Sequence, residues 1–365
     1  MTSICLNMIV KNEAHVIRRG LNTVKPFIHH WVIVDTGSTD GTQEIIREYM
    51  KDIPGELIER PWKNFAHNRN EAIEFAVDKA DYLMFLDADE EFVTPPGWCM
   101  PELAGDAFRV RVDHPPSTSY DRVSLVPSSA RWRYAGVLHE VIERDQPYTL
   151  RLLEGVFLRE NQEGARALDP KKLAKDAAVL EEALGYEPNN TRYVFHLAEI
   201  YRGLKEWPKA LEMFERRITM GGWDQEVYWA HLGVAVMAEH AQLDDNIVVL
   251  AYLRAHVYRP RRAESLCELA RFCRVRKIWS LAYVFGKAAA AIPHPGVDER
   301  SFVDEAVYAW RALDEWAVAA SWTDRHQESK ELCERLLASS GLPASERSRI
   351  QGNLEIVLAA LGPPA

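Results

Sequence analysis

The feature that most limits how this chain can fold is a change of rhythm near residue 160. Before it, short β-rich runs alternate with helical ones. Ile4–Val10, Trp31–Val34, Glu56–Arg60 and Tyr82–Leu86 read as strands, and Glu13–Thr23, Gln43–Met50 and Asn68–Lys79 as helices. Strands separated by helices are joined by crossovers, which predicts an α/β domain with a parallel sheet. Ligands of such sheets bind beyond the carboxyl ends of the strands. Lys11-Asn12-Glu13, Asp35-Thr36-Gly37-Ser38 and Asp87-Ala88-Asp89 all fall at those ends.

From Asp169 onward periodic apolar helices take over. A weak repeat runs through them. Tyr193-Val194-Phe195-His196-Leu197-Ala198 is echoed 35 residues later by Tyr228-Trp229-Ala230-His231-Leu232-Gly233. Ser265-Leu266-Cys267-Glu268-Leu269-Ala270 follows 37 residues after that. This spacing, with small residues at helix crossings, resembles tetratricopeptide (TPR) repeats. Trp207, Pro208, Ala210 and Phe214 suit the second helix of such a unit, and Pro188-Asn189-Asn190 the turn before a first helix. A plain helical bundle is the competing reading. The expected division is 1–160, 161–298 and 299–365, the last being capping helices.

With 47% hydrophobic and 27% charged residues among 365, a sizeable core forms without disulfide staples. The net charge of -10 argues against general polyanion binding. Five cysteines, an odd number without a CxxC pair, fit a reducing cytoplasm better than a disulfide framework or a zinc site. The opening apolar run is too short for a secretion signal, and no apolar stretch is long enough to span a membrane. A cytoplasmic protein is expected.

Asp87-Ala88-Asp89 carries the most chemistry. Alternation along a strand would turn both carboxylates to one side. Two hard oxygen ligands suit Mg2+ or Mn2+ shared with substrate phosphates, where the ion neutralises a diphosphate leaving group. Alone, Asp-x-Asp also marks solvated turns, and Glu90 and Glu91 read as surface charge. Asp35, ending a second strand, can accept hydrogen bonds from a nucleobase or ribose; Asp40 and Thr42 read as turn and cap residues. Arg69 opens a helix whose other face, Ala72, Ile73 and Ala76, is apolar. A guanidinium there suits two phosphates, or else pairs with Glu71. In Arg131-Trp132-Arg133-Tyr134-Ala135-Gly136-Val137-Leu138-His139-Glu140, His139 is a candidate third metal ligand and Glu140 a candidate general base. An ordinary His–Glu pair on an edge strand is the plainer account. Asp113 and His114, before Pro115 and Pro116, are a lower-ranked pair, with Asp113 the alternative base.

Val34-Asp35-Thr36-Gly37-Ser38-Thr39-Asp40-Gly41-Thr42, Asn68-Arg69-Asn70-Glu71-Ala72 and Phe85-Leu86-Asp87-Ala88-Asp89-Glu90, with the opening Met8-Ile9-Val10-Lys11-Asn12-Glu13, resemble family-2 glycosyltransferases of the GT-A fold. The resemblance covers about residues 3–145. It implies a GT-A (Rossmann-like) nucleotide-sugar domain, followed here by an all-α TPR-like helical-repeat domain. It further implies inverting transfer from a nucleotide-diphosphate sugar. Donor-binding positions would be Asn12, Glu13, Asp35, Arg69, Asp87 and Trp132, with Asp87, Asp89 and His139 at a Mn2+ or Mg2+ ion. The aromatic–Gly–x–x–His–Glu stretch resembles a branch of these enzymes that carries C-terminal TPR helices. Glu163-Gly164-Ala165-Arg166, Gly221-Gly222-Trp223 and Arg259-Pro260-Arg261-Arg262-Ala263-Glu264 resemble the helical portion of that branch. Its histidine shortly before the Gly-Ala-Arg stretch is replaced here by Glu160-Asn161-Gln162.

The expected partners are a nucleotide sugar, UDP-hexose first, and a macromolecular acceptor: protein, glycan or modified nucleic acid. A homo-oligomer is also open. Arg254, Arg259, Arg261, Arg262, Arg271, Arg274, Arg276 and Lys277 make a basic segment, read either as a solvated helical face or as a groove for an acidic acceptor. Transfer to a hydroxymethylated base is one alternative. Nucleotidyl transfer is another, though Lys11-Asn12-Glu13 lacks the basic Gly-rich loop it needs. A TPR scaffold with an inactive front domain is the third.

Overall fold

The computed structural model describes residues 2–114, 118–296, 299 and 302–362. Pro115 and Pro116 lie outside them. The chain forms two compact units, Met1–Leu204 and Lys205–Ala365.

In the first unit the continuous apolar run Ile4–Val10 becomes β1, buried along nearly its whole length. A run of this kind marks a strand covered on both faces. Ile4, Leu6, Met8 and Val10 face one core, with Ile17 and Leu21 of α1 (Ile17–Val24). Cys5 faces the other, with Ile73 and Ala76 of α3 (Phe65–Ala76). The remaining strands are β2 (His30–Asp35), β3 (Gly55–Glu59), β4 (Tyr82–Phe85), β5 (Glu90–Val93), β6 (Ala107–His114), β7 (Thr118–Pro127) and β10 (Leu150–Glu160). With β1 they run in the order β3-β2-β1-β4-β7-β6-β10-β5. The pairs from β3 to β4 are parallel, as the alternation predicts. Beyond β4 the sheet is mixed, because β7 lies antiparallel to both β4 and β6. Consecutive β6 and β7 are joined by too short a segment for a crossover. A separate hairpin pairs β8 (Arg133–Ala135) with β9 (Val141–Glu143). α2 (Thr42–Tyr49) follows β2, and α4 (Lys172–Tyr186) and α5 (Thr191–Gly203) close the unit.

Parallel pairing puts the carboxyl ends of β1, β2 and β4 at one sheet edge, so the three polar segments meet there. The turn after β4 is held tightly against α1. A Cβ on Gly20 would come within 2.8 Å of the Glu90 carbonyl oxygen and 3.1 Å of that of Ala88.

The second unit is built of helical hairpins. They are α6 (Trp207–Met220), α7 (Asp224–His240), α8 (Asp245–Tyr258), α9 (Glu264–Val275), α10 (Trp279–Ala290), α11 (Ala312–Ser321), α12 (His326–Ala338) and α13 (Ala344–Leu361). Tyr228 and Ser265, the later echoes of the sequence repeat, sit on α7 and α9. Small residues let helices approach: a Cβ on Gly233 would meet the Phe214 ring at 2.8 Å. The basic segment is largely neutralised within the unit. Arg259 pairs with Asp224 and Glu299, Arg262 with Glu264 and Glu299, and Arg271 with Glu239 and Glu268. Arg274 pairs with Glu315 and Arg276 with Asp245. These contacts favour a structural role for the segment over an open basic groove. Among the described residues, no helix is long and apolar enough to cross a membrane.

Candidate active site at the sheet edge

Helix α3 starts three residues earlier than its apolar pattern indicates, because the Asn64 side chain accepts the His67 amide and caps it. This places Arg69 one turn in. Its Nε donates to Glu140 Oε1 at 2.5 Å and its Nη2 to Asp87 Oδ1 at 2.7 Å. The guanidinium lies over the Tyr134 ring, 5.2 Å from its centre. The side chains of Arg69 and Glu140 are only 13% and 9% exposed. The other Asp87 oxygen faces Arg122 of β7 at 3.4 Å, and Arg122 also grips Glu90 at 2.8 and 2.6 Å. Burial opposes the charge on Asp87, but Arg69 and Arg122 outweigh it and bring the carboxyl down to about 2. Burial pushes Glu90 the other way, upward, against the pull of Arg122.

Asp89 does not share this environment. The strand ends at Phe85, and the Glu90 amide returns to the Asp87 carbonyl at 3.1 Å, so residues 87–90 form a turn rather than an extended run. Strand alternation therefore does not align the two carboxylates. Asp89 Oδ2 instead accepts the amides of Glu163 and Gly164 at 3.1 and 3.0 Å. Glu13 accepts the next amide, Ala165, at 3.3 and 3.2 Å. A Cβ on Gly164 would sit 3.2 Å from Asp89 and 3.4 Å from Glu13. Burial, reinforced by the nearby Asp89 charge, raises Glu13 to about 7. Asn161, in the stretch where the resembling branch carries a histidine, bonds the Asp89 carbonyl and Glu91 at 2.9 and 3.0 Å.

Asp35 is fully buried. Its Oδ1 accepts from the amides of Gly37 and Ser38, both at 2.9 Å, and from Gln43 at 3.0 Å. Against the effect of burial, these bonds hold its carboxyl below the ordinary range. Its Oδ2 is buried with no hydrogen-bond partner among the described residues. Asn12, with a left-handed backbone (φ 58), joins the two loops: its Oδ1 accepts the Thr39 amide at 2.8 Å, and its own amide donates to Ser38 Oγ at 2.8 Å. Asp40 accepts the amides of Ala14 and Thr42, which is a turn role.

The structure thus gathers Arg69, Asp87 and Glu140 in one cluster, Glu13 and Asp89 in an adjoining one, and Asn12 with the Asp35 loop beside them. Two candidate residues are placed elsewhere. Trp132 packs in the hydrophobic core with Ile73, Leu83 and Phe85 at 5% exposure. His139 stacks on His196 of α5, with ring centres 3.9 Å apart and planes 12° from parallel. His114 pairs with Glu160 at 2.8 Å, and Asp113 is exposed near the end of β6. Among the described residues, no three or more His, Cys, Asp and Glu groups converge as a ready-made metal site. The aspartates supply hard oxygens of the right chemistry for Mg2+ or Mn2+. A cation there would draw its remaining ligands from a diphosphate, as Mg2+ commonly does. Arg122 belongs to none of the sequence motifs, and Glu90, expected as surface charge, is 1% exposed. The available signal was Arg122 itself, a charge within an otherwise strand-like run.

Residues 5–102 match the family described as Glycosyl transferase family 2. The N-terminal part is thus a family 2 glycosyltransferase domain of GT-A-like α/β fold, and a TPR-like helical region follows it. The chain is 36% identical over 94 residues to a TPR repeat-containing protein of Synechococcus elongatus, covering 26% of this chain and 22% of that one. It is 36% identical over 88 residues to the SPbeta prophage-derived glycosyltransferase SunS of Bacillus subtilis, covering 24% and 20%. An uncharacterized glycosyltransferase of Rickettsia felis shares 33% over 91 residues, covering 25% and 30%. The matched segment thus spans well under half the length of each of these relatives.

Proposed function

We propose that this chain transfers a hexosyl group, with inversion, from a nucleotide-diphosphate sugar to a hydroxyl or thiol of a macromolecular acceptor. UDP-hexose is the expected donor. The observation that carries the reading is Arg69, which bridges Asp87 and Glu140 at the carboxyl edge of the parallel strands. One guanidinium thereby links a donor-side carboxylate to a base.

The unpaired Oδ2 of Asp35 supports a hydrogen bond from the nucleoside. Asp87 takes the donor ribose or sugar, and Arg69 neutralises the diphosphate. As a diphosphate draws the guanidinium, Glu140 is released to accept the acceptor proton. The acceptor oxygen or sulfur attacks the anomeric carbon, the bond from that carbon to the phosphate oxygen breaks, and its electron pair leaves with the diphosphate. Asp87 and Asp89 would hold a Mn2+ or Mg2+ ion, which when bound supplies further neutralisation of the leaving group. The division at 1–160, 161–298 and 299–365 assigns donor chemistry to the front, acceptor recognition to the repeats and closure of the stack to the last helices. A cytoplasmic setting is supported by the five unpaired cysteines, four of them buried. Protein or glycan acceptors are favoured over nucleic acid, because much of the basic segment is already ion-paired.

The test is a panel of nucleotide sugars with Mn2+, read by released nucleoside diphosphate. UDP is expected to raise the melting temperature in a Mn2+-dependent way. Absence of both release and any shift with every nucleoside diphosphate refutes the proposal. Glu140→Gln should bind UDP and lose transfer; full activity would move the base elsewhere.

A further inference from the structure

Glu140 lies at the end of a short loop between β8 and β9, and that loop is gripped from two sides. On one side is α3. Besides the Arg69 contact, Asn70 bonds both polar groups of the Tyr134 backbone, donating to its carbonyl at 3.0 Å and accepting its amide at 2.7 Å. On the other side is α5. The Val137 amide donates to the Tyr193 hydroxyl at 3.1 Å, and the His139 carbonyl accepts from Arg192 Nε at 2.7 Å. The His139 imidazole lies flat on that of His196.

These contacts fall on a loop with two left-handed residues. Gly136 has φ 109 and His139 φ 52. A left-handed non-glycine residue carries a conformational cost that its surroundings must offset. On the α5 side the surroundings are three side chains from a single helix turn and a half: Arg192, Tyr193 and His196. His196 is nearly buried and burial keeps it well below its usual titration range, so the stack is between rings and not between charges.

We propose that α5 is a clamp for the base loop, with Arg192, Tyr193 and His196 as positioning residues that act through Glu140. The inference rests on Glu140 being the base. It gives α5 a role distinct from acceptor binding: it fixes the loop that carries the proton acceptor. It also gives His139 a role as the seat of the clamp in place of a metal ligand.

The test uses the full chain with Tyr193→Phe, His196→Ala and His196→Phe. Hydrogen exchange of the 136–140 amides reads the clamp without turnover. It should accelerate by about tenfold or more in Tyr193→Phe and His196→Ala, because each loses a protecting contact. Turnover is read as UDP released from UDP-glucose, and donor affinity as the Kd for UDP. A mispositioned base should lower kcat by about tenfold to a hundredfold, while the UDP Kd stays within about twofold. His196→Phe restores a flat ring and should recover most of the activity.

Unchanged exchange in both clamp variants overturns the proposal. So do variants that turn over like wild type while Glu140→Gln is inactive, a result that leaves the transfer reading intact. Equal losses in kcat and UDP affinity also overturn it and leave α5 a packing element. If wild type with Mn2+ neither binds UDP nor releases it from UDP-glucose, the transfer reading fails for this donor class and the positioning role fails with it.

Discussion

Glu13→Gln tests the electrostatics of the sheet edge most directly. Glu13 is 9% exposed and lies beside Asp89, and these surroundings raise its carboxyl from 4.5 to about 7. A carboxyl whose native value lies above its unfolded value binds its proton more tightly in the native state. Stability therefore falls as pH rises between those two values, and levels off above the upper one. The displacement corresponds to about 3 kcal/mol at full ionisation. Glutamine is nearly isosteric, keeps an oxygen for the Ala165 amide and carries no charge. The variant should gain little below pH 4.5 and up to about 3 kcal/mol above pH 7, where wild type bears the buried charge. The assay is urea unfolding of both proteins across this pH range, followed by a probe of the first unit. The difference between the two midpoints should open with rising pH. A constant difference would show that Glu13 does not titrate in this window and would refute the reasoning.

Three further outcomes follow from the same contacts. Arg122→Ala leaves Glu90 buried and unpaired, and should cost about 3 kcal/mol or more in denaturant unfolding; Arg122→Met combined with Glu90→Leu should recover much of it. Gly20→Ala forces a Cβ against the Glu90 and Ala88 carbonyls, so it should destabilise by about 1–3 kcal/mol and weaken UDP binding by displacing the 87–90 turn. In the second unit, Arg217→Ala removes the partner of buried Glu226, 2.5 Å away, and should cost about 3–5 kcal/mol, read by thermal unfolding.

What the sequence disclosed and what it did not have a common physical origin. Strands covered on both faces are written as continuous apolar runs, so Ile4–Val10 and the run before Asp87 were legible. Residue type and place along the chain brought Arg69, Asp87 and Glu140 into view, since each belongs to a motif at or near an element's end. Helix starts were less legible. The α3 start was hidden by the Asn64 cap, which precedes the apolar face. At α1 the carbonyl of Glu13 is taken up by Val16 and Ile17 in a turn, so the helix itself begins at Ile17. Trp132 illustrates a further limit: an aromatic beside a polar motif can serve a ligand or a core, and periodicity does not separate the two.

The contacts that set the site's electrostatics were the least legible, because they join elements distant in the chain. Arg122 meets Asp87 and Glu90 from across the sheet, and Asp89 takes its hydrogen bonds from residues 163 and 164. No local pattern encodes such a partner. The consequence reaches the chemistry. Read as an extended run, Asp87 and Asp89 form one bidentate pair. Folded as a turn, they belong to two environments: Asp87 is held ionised by arginines, and Asp89 is tied to the loop that leads out of the sheet. If both held a divalent ion, that ion would compete with the amides of Glu163 and Gly164 for the Asp89 carboxylate. Donor binding would then be coupled to the position of that loop. The coupling is open to measurement: UDP with Mn2+ should change amide exchange at Glu163 and Gly164, and unchanged exchange in the bound state would leave Asp89 a purely structural anchor.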